Sequence, residues 1–477
     1  MKRINQLISV SLAFIMIIVS ICTFPTQVMA KKNTKKWPSA PDIYAETGVL
    51  IEASTGSVLF DKKKDKHMYP ASITKILTSL LAIENSSMDE MVTFSHNAVY
   101  SLEYGDANIA RQEGEKLSME DCLYALLLHS ANECANAIGE HISGSIEDFA
   151  KLMNERAKEA GALNSHFENP SGLFYEDQNH YTTAYDMAMI TRAVLQYPEF
   201  LRIEANTTYT IPKTNKHKET LPIVNRHKML LPTDYRYYEG AQGGKTGYVD
   251  QSGNTLVTVA KRGDLQLICV VMKSNSENVY NDTKLLLDYG FDNFQALNIS
   301  NNETRFNLNE SGFFDSISYL FNTTGSVANI NEDDIVVLPQ SSNFQDLTYE
   351  LNWKKDDNST ADINYYYGKT KVGNTTLTLS SATKQNNSNI FESLKTNTNK
   401  GFTFDSFKKI LFIILKVLGI LLAIVLLVIL ILFIRAFIDK RNPGSRRKRN
   451  RRRKYRKKIN SSGSISHKRR TPRKPHY

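Results

Sequence analysis

Cysteine is scarce in this chain, with four in 477 residues. Cys22 falls in an apolar leader, which leaves Cys122, Cys134 and Cys269 for any folded region. Three is odd, so at least one thiol is unpaired and a disulfide scaffold is excluded. We read all three as small buried hydrophobes, with a Cys122–Cys134 bridge as the open alternative. Acidic residues are missing from one end. Between Arg435 and Tyr477, 19 Lys and Arg stand against a single acid, Asp439, a balance of +18. The whole chain is +10, so everything before Arg435 sums to −8. The signatures of several chemistries are also absent. There is no Gly-x-Ser-x-Gly elbow, no P-loop and no dinucleotide fingerprint. His129, His141, His166 and His180 do not sit at zinc-protease spacing and read as structural or loop residues. No metal and no cofactor is expected.

What is present is three short strings in chain order: Ser72-Ile73-Thr74-Lys75, Ser130-Ala131-Asn132 and Lys245-Thr246-Gly247. Taken singly they are weak. Ser-x-x-Lys recurs at Ser381, Ser406 and Ser445, and Ser-x-Asn recurs at Ser95 and Ser252, among others. Context separates them. Ser381 lies in an Asn/Ser-rich linker, Ser406 abuts an apolar segment and Ser445 sits in the basic tail. Ser72 instead follows Pro70, which suits a helix entry, and precedes Ile73, Ile76, Leu77, Leu80 and Leu81 at helical spacing. Ser72 and Lys75, three apart, then point the same way. The plain alternative is a surface Ser and Lys on an ordinary helix.

Leu117 to Leu128 and Asn132 to Ile142 read as two apolar-faced helices, with Ser130-Ala131-Asn132 in the connection. The plain alternative there is a helix N-cap. Lys245 to Tyr248 begins a strand, and Thr255–Ala260 and Leu265–Met272 flank Arg262-Gly263-Asp264 as a hairpin. Lys245 and Thr246 are expected at the start of the strand before it. The plain alternative is an edge strand guarded by a lysine.

A serine hydroxyl is a poor nucleophile until a base takes its proton. Lysine can be that base only when its pKa falls, which burial and a second cation both favour. Ser72 is therefore the candidate nucleophile, Lys75 its base and Lys245 the second cation. Ser130 can pass the proton to a leaving amine, and Asn132 can hold a substrate amide or Lys75. The backbone N–H groups of Ser72 and Tyr248 are the candidate oxyanion hole. Lys245, Thr246 and Gly247 suit a terminal carboxylate.

The ordered set is a recognised signature of penicillin-binding proteins and class A β-lactamases. Further blocks follow in family order: Tyr69 to Lys75, Leu126 to Asn132, Asn169-Pro-Ser-Gly-Leu173, His180 to Asp186, Gly244 to Gly247 and Leu286 to Phe291. Over residues 40 to 380 the chain resembles the serine-type D-alanyl-D-alanine carboxypeptidases, the low-molecular-weight penicillin-binding proteins. The resemblance implies removal of the terminal D-alanine from peptidoglycan stem pentapeptides through an acyl-enzyme, and covalent inhibition by β-lactams. Related alternatives are a transpeptidase or endopeptidase on crosslinks, or a slow β-lactamase. A non-catalytic wall-binding sensor is the alternative outside enzymology. Ala131 stands where well-known members carry Gly, a methyl that would narrow the cleft. Near Val279, where many relatives carry an arginine that could help hold the substrate carboxylate, only Lys273 lies close in sequence.

Both ends address a membrane. Residues 1–30 carry Lys2 and Arg3, an apolar run from Leu7 to Phe24 and small residues before a cut after Ala30, as a secretory signal does. Residues 410–434 are apolar apart from Lys416, and as a helix would span roughly 37 Å against about 30 Å of hydrocarbon. The basic tail, 435–477, is then cytoplasmic on anionic lipid, with the rest outside; no nucleic acid partner is expected. Between these lie a catalytic domain of α+β class at 40–292, a β-sandwich at 293–381 and a polar linker at 382–408. A stalk is the simplest role for the sandwich.

Overall fold

Two apolar runs open the fold as an antiparallel pair, β1 (Thr47–Glu52) and β2 (Val58–Lys62). The computed structural model describes residues 36–175, 179–303, 328–354 and 357–379, with the isolated positions Leu426, Leu430 and Ile434. The signal, the linker beyond residue 379, the apolar span apart from those three positions, and the basic tail lie outside the described residues. Among the described residues no helix is long and apolar enough to cross a membrane. Residues 36–379 belong to one compact unit.

After β2 comes a single 3-10 turn, Ala71–Thr74, that runs into helix α1 (Lys75–Asn85). A short strand β3 (Met91–Thr93) and helix α2 (His96–Tyr100) lead to β4 (Lys116–Ser118), which pairs with β3. Then follow α3 (Met119–Tyr124), a π turn over Ala125–His129, α4 (Asn132–Ser143), α5 (Ile146–Glu159), α6 (Ala184–Val194) and α7 (Pro198–Glu204). Ser118, Ser145 and Thr183 start α3, α5 and α6. Each side chain accepts from the backbone N–H three residues on, where an Asp complements the helix dipole. The cap at Ser118 is why the helix expected from Leu117 begins only at Met119. The residues before it pair as strand instead.

A small hairpin, β5 (Thr208–Ile211) with β6 (Leu221–Val224), precedes the long strands β7 (Ala241–Val249), β8 (Gly253–Arg262) and β9 (Leu265–Ser274). The main sheet is antiparallel in the order β2-β1-β9-β8-β7, so β7 is an edge strand. Helix α8 (Asn278–Asn293) covers one face. Successive strand residues point to opposite faces. Val49 and Ile51 join the core under α1 and α4–α6, whereas Leu50 packs with Leu286 and Leu287 of α8. Both faces are covered, which explains the unbroken apolar runs in β8 and β9. The expected α+β layering is thus present.

The four strand-like runs expected beyond residue 293 all form, as β12 (Ile335–Pro339), β13 (Thr348–Lys354), β14 (Asp357–Tyr367) and β15 (Thr370–Leu379). They are joined by β10 (Phe294–Asn298) and β11 (Ala328–Ile330). Among the described residues these strands are hydrogen-bonded into one connected set of six, in which β12 joins β15 by the single pair Val336–Gly373. β15 carries the connection, since its ten residues reach β14 on one side and both β12 and β11 on the other. This sheet is not set apart from the first. Trp37 donates to the carbonyl of Leu59 in β2 and packs its ring, tilted, against Phe294 at 5.0 Å and Tyr367 at 6.1 Å between centroids.

Candidate active site

The 3-10 turn fixes the first pair. With three residues per turn, side chains three apart eclipse, and Lys75 Nζ lies 2.9 Å from Ser72 Oγ. The helix expected to carry Ser72 therefore starts one turn later, and the tighter turn aligns the pair better than an α-helix would. Ala71, just before Ser72, has φ +52, a left-handed conformation that costs a non-glycine residue roughly 1–2 kcal/mol. Gly172 makes that turn possible. A Cβ there would sit 1.9 Å from the Ala71 carbonyl oxygen, and Gly172 itself has φ +79.

Lys75 is fully buried. Its Nζ also lies 2.6 Å from Asn132 Oδ1 and 2.7 Å from the Ser171 carbonyl oxygen. A neutral amine has two N–H donors and one lone pair. Donating to Asn132 and Ser171 leaves the lone pair to accept the Ser72 hydroxyl proton. The electrostatics favour that form. Burial pulls the Lys75 pKa well below the ordinary lysine range, the charges of Lys245 and Arg226 lower it further, and Asp106 and Glu133 oppose them. The Ser171 carbonyl is held by a local knot, in which Asn169 Oδ1 accepts from the backbone N–H groups of Ser171 and Gly172 and from Ser171 Oγ.

Ser130 and Asn132 do not cap α4. The capping position is Ala131, with no side-chain hydrogen bond. The π turn ahead of it gives way to Ser130 at φ +67, and both Ser130 and Asn132 line the cleft that holds Ser72. The Ala131 side chain is buried in the core instead, so its methyl does not narrow the cleft. Lys245 stands midway along β7, not at its start, and is 1% exposed, so it guards no edge. Burial lowers its pKa to about 8; Arg226 pushes the same way and Glu204 opposes. Thr246, Gly247 and Tyr248 follow along the cleft wall. Gly247 is required by close approach, because a Cβ there would lie 3.0 Å from the Ser72 backbone N and 2.4 Å from Thr255 Oγ1. Ser72 and Tyr248, the two expected oxyanion donors, thus belong to segments in contact at Gly247.

The cleft has a volume of about 980 Å³, with Lys75 and Lys245 buried at its margin. Two residues missed by sequence reasoning bear on this site, one on the cleft wall and one buried behind it beside Lys245. Arg226 lines the cleft and its guanidinium lies 3.0 Å from His129 Nε2; a lone arginine in a loop carries no signal. Glu204, at the end of α7, is fully buried, and burial raises its pKa to about 8 against the pull of Lys245. Lys273 lies elsewhere, in a neighbouring groove. The other histidines are structural: His141 pairs with Glu90 at 3.1 Å, His166 lies 2.9 Å from the Asn179 carbonyl and His180 lies 3.2 Å from Thr74 Oγ1. Cys122, Cys134 and Cys269 are buried free thiols.

A family model for D-alanyl-D-alanine carboxypeptidases matches residues 34–276, just over half of the chain. The chain belongs to that family. It is 31% identical over 301 residues to the D-alanyl-D-alanine carboxypeptidase DacF of Bacillus subtilis, covering 60% of this chain and 72% of that one. It is 30% identical over 256 residues to a D-alanyl-D-alanine carboxypeptidase of Mycobacterium tuberculosis, covering 53% of this chain and 84% of that one. In fold it is similar to penicillin binding protein 6B of Escherichia coli, with a TM-score of 0.53 at 23% identity, over 71% of this chain and 96% of the other. The three strings expected to carry the family's chemistry therefore meet at one cleft in a chain of that family.

Proposed function

We propose that this chain is a serine D-alanyl-D-alanine carboxypeptidase that removes the terminal D-alanine from peptidoglycan stem pentapeptides. The observation that carries the reading is the buried Lys75 amine, bonded to Ser72, Asn132 and the Ser171 carbonyl at once. Lys75 takes the proton from Ser72 Oγ as that oxygen attacks the carbonyl of the penultimate D-alanine. The backbone N–H groups of Ser72 and Tyr248 stabilise the oxyanion. Collapse of the tetrahedral intermediate breaks the peptide C–N bond, and the leaving nitrogen departs as a neutral amine because Ser130 passes it a proton drawn from Lys75. D-alanine leaves, and water then hydrolyses the ester on Ser72. The stem pairs with the free edge of β7 as an added strand. Thr246, Lys245 and Arg226 face its terminal carboxylate, and Asn132 its amide.

β-Lactams acylate the same serine. Residues 1–30 act as a secretory signal and 410–434 as the membrane anchor, with the 435–477 tail on the cytoplasmic anionic surface; hydropathy and the charge imbalance support this. The six-stranded sheet then serves as a stalk beneath the cleft. A fluorescent penicillin should label the wild-type chain and Ser381→Ala but not Ser72→Ala. Mass analysis of a synthetic pentapeptide digest should show the tetrapeptide and free D-alanine. Labelling that persists in Ser72→Ala would sink the assignment, and crosslinked products without free tetrapeptide would make the chain a transpeptidase.

A further inference from the structure

A second groove, of about 450 Å³, adjoins the cleft, and Gln251 lines both. Its walls include Lys66, His67, Tyr69, Tyr181 and Lys273. His67 and Tyr181 stack at 4.3 Å and give one wall a flat face. Glu46 is the carboxylate of this groove, ion-paired to Lys66 and within the field of Lys63 and Lys273. Two lysines, Lys66 and Lys273, line the groove against that one acid; Lys66 is spent on Glu46, and Lys273, whose Nζ donates to the Gln251 carbonyl, is the excess positive charge. Lys273 and Lys63 also hold left-handed backbone conformations, at φ +57 and +50, that non-glycine residues adopt only under constraint.

The direction of the substrate connects this groove to the chemistry. A strand added antiparallel to β7 with its carboxyl end at Thr246 must run its amino side past Val249 toward Gln251. Gln251, in the turn between β7 and β8, is the residue that the cleft and the second groove share. We propose that this groove receives the amino-side residues of the stem peptide, with Lys66 and Lys273 facing a free carboxylate on them. The inference rests on the carboxypeptidase reading above and adds a charge preference to it.

The test uses the full-length chain and two synthetic stem pentapeptides that differ only in one amino-side carboxylate, free in one and amidated in the other. The wild type should favour the free acid by about fivefold in kcat/KM, a size suited to a half-exposed ionic contact. That ratio should fall toward one as ionic strength rises to about 0.5 M, and in Lys273→Asn, whose side chain tolerates the left-handed backbone. Equal rates for both peptides in the wild type, or an undiminished ratio in Lys273→Asn and in Lys66→Gln, would overturn the proposal. Should neither peptide be cleaved while penicillin still labels Ser72, the carboxypeptidase reading fails. The groove is then judged by fluorescence anisotropy of the two labelled peptides on Ser72→Ala, where tighter binding of the free acid supports it and equal binding rejects it.

Discussion

Lys75 and Lys245 are both buried lysines a short way apart, yet the chemistry asks them to hold opposite charge states. Lys75 must be neutral to take a proton, and Lys245 must be charged to face a carboxylate. Lys75→Arg tests the first. A guanidinium stays protonated, so penicillin acylation measured by stopped-flow should fall by about 10³, the range of a lost general base. The second sets a pH profile. Activity should rise with pH as Lys75 deprotonates and decline as Lys245 loses its proton near about 8. Glu204 raises the Lys245 pKa, so Glu204→Gln should move the alkaline limb of kcat/KM to lower pH. An unmoved limb in a folded Glu204→Gln protein would exclude Glu204 from that role.

Among the elements, the turn before α1 depends on a loop about 100 residues away. Gly172→Ala should drive a methyl into the Ala71 carbonyl. The strain, at least about 1 kcal/mol at a left-handed position, should slow acylation at least tenfold by about 1.4 kcal/mol of misplacement, with a lowered melting temperature. Unchanged acylation would mean that Ser72 is positioned without this contact. The strings at Ser72, Ser130 and Lys245 were legible because each pairs a reactive side chain with an apolar element of clear period. The strands β8 and β9 were legible from β-branched runs, and the four C-terminal strands from their turn residues. Other features leave no such trace. The Ser171 carbonyl is a backbone atom, the π turn at Ala125–His129 has the composition of an α-helix, and Glu204 and Arg226 acquire meaning only from what packs beside them. Which of these distant strands pair depends on long-range contacts, which is why the sequence marks the four runs but not the order β10-β12-β15-β14-β13.

For the molecule as a whole, two histidines are buried in the neutral form. Burial lowers His180 to about 3 and His227 to about 4, against an unfolded value of 6.5. A lowered folded pKa gives stability that is full above the unfolded value and is lost as pH falls. Each histidine should then cost about 1.4 kcal/mol per pH unit between about pH 6 and pH 4.5. Urea midpoints taken across that range should fall with pH, and His180→Asn should flatten the slope. A slope unchanged by that substitution would place the acid sensitivity elsewhere. The edge position of β7 has a different consequence. A resting molecule presents an unsatisfied strand border to any other chain with extended backbone, whereas an acylated one has that border occupied. An antibiotic that silences the enzyme would on this account also shield it from sticking to its own kind.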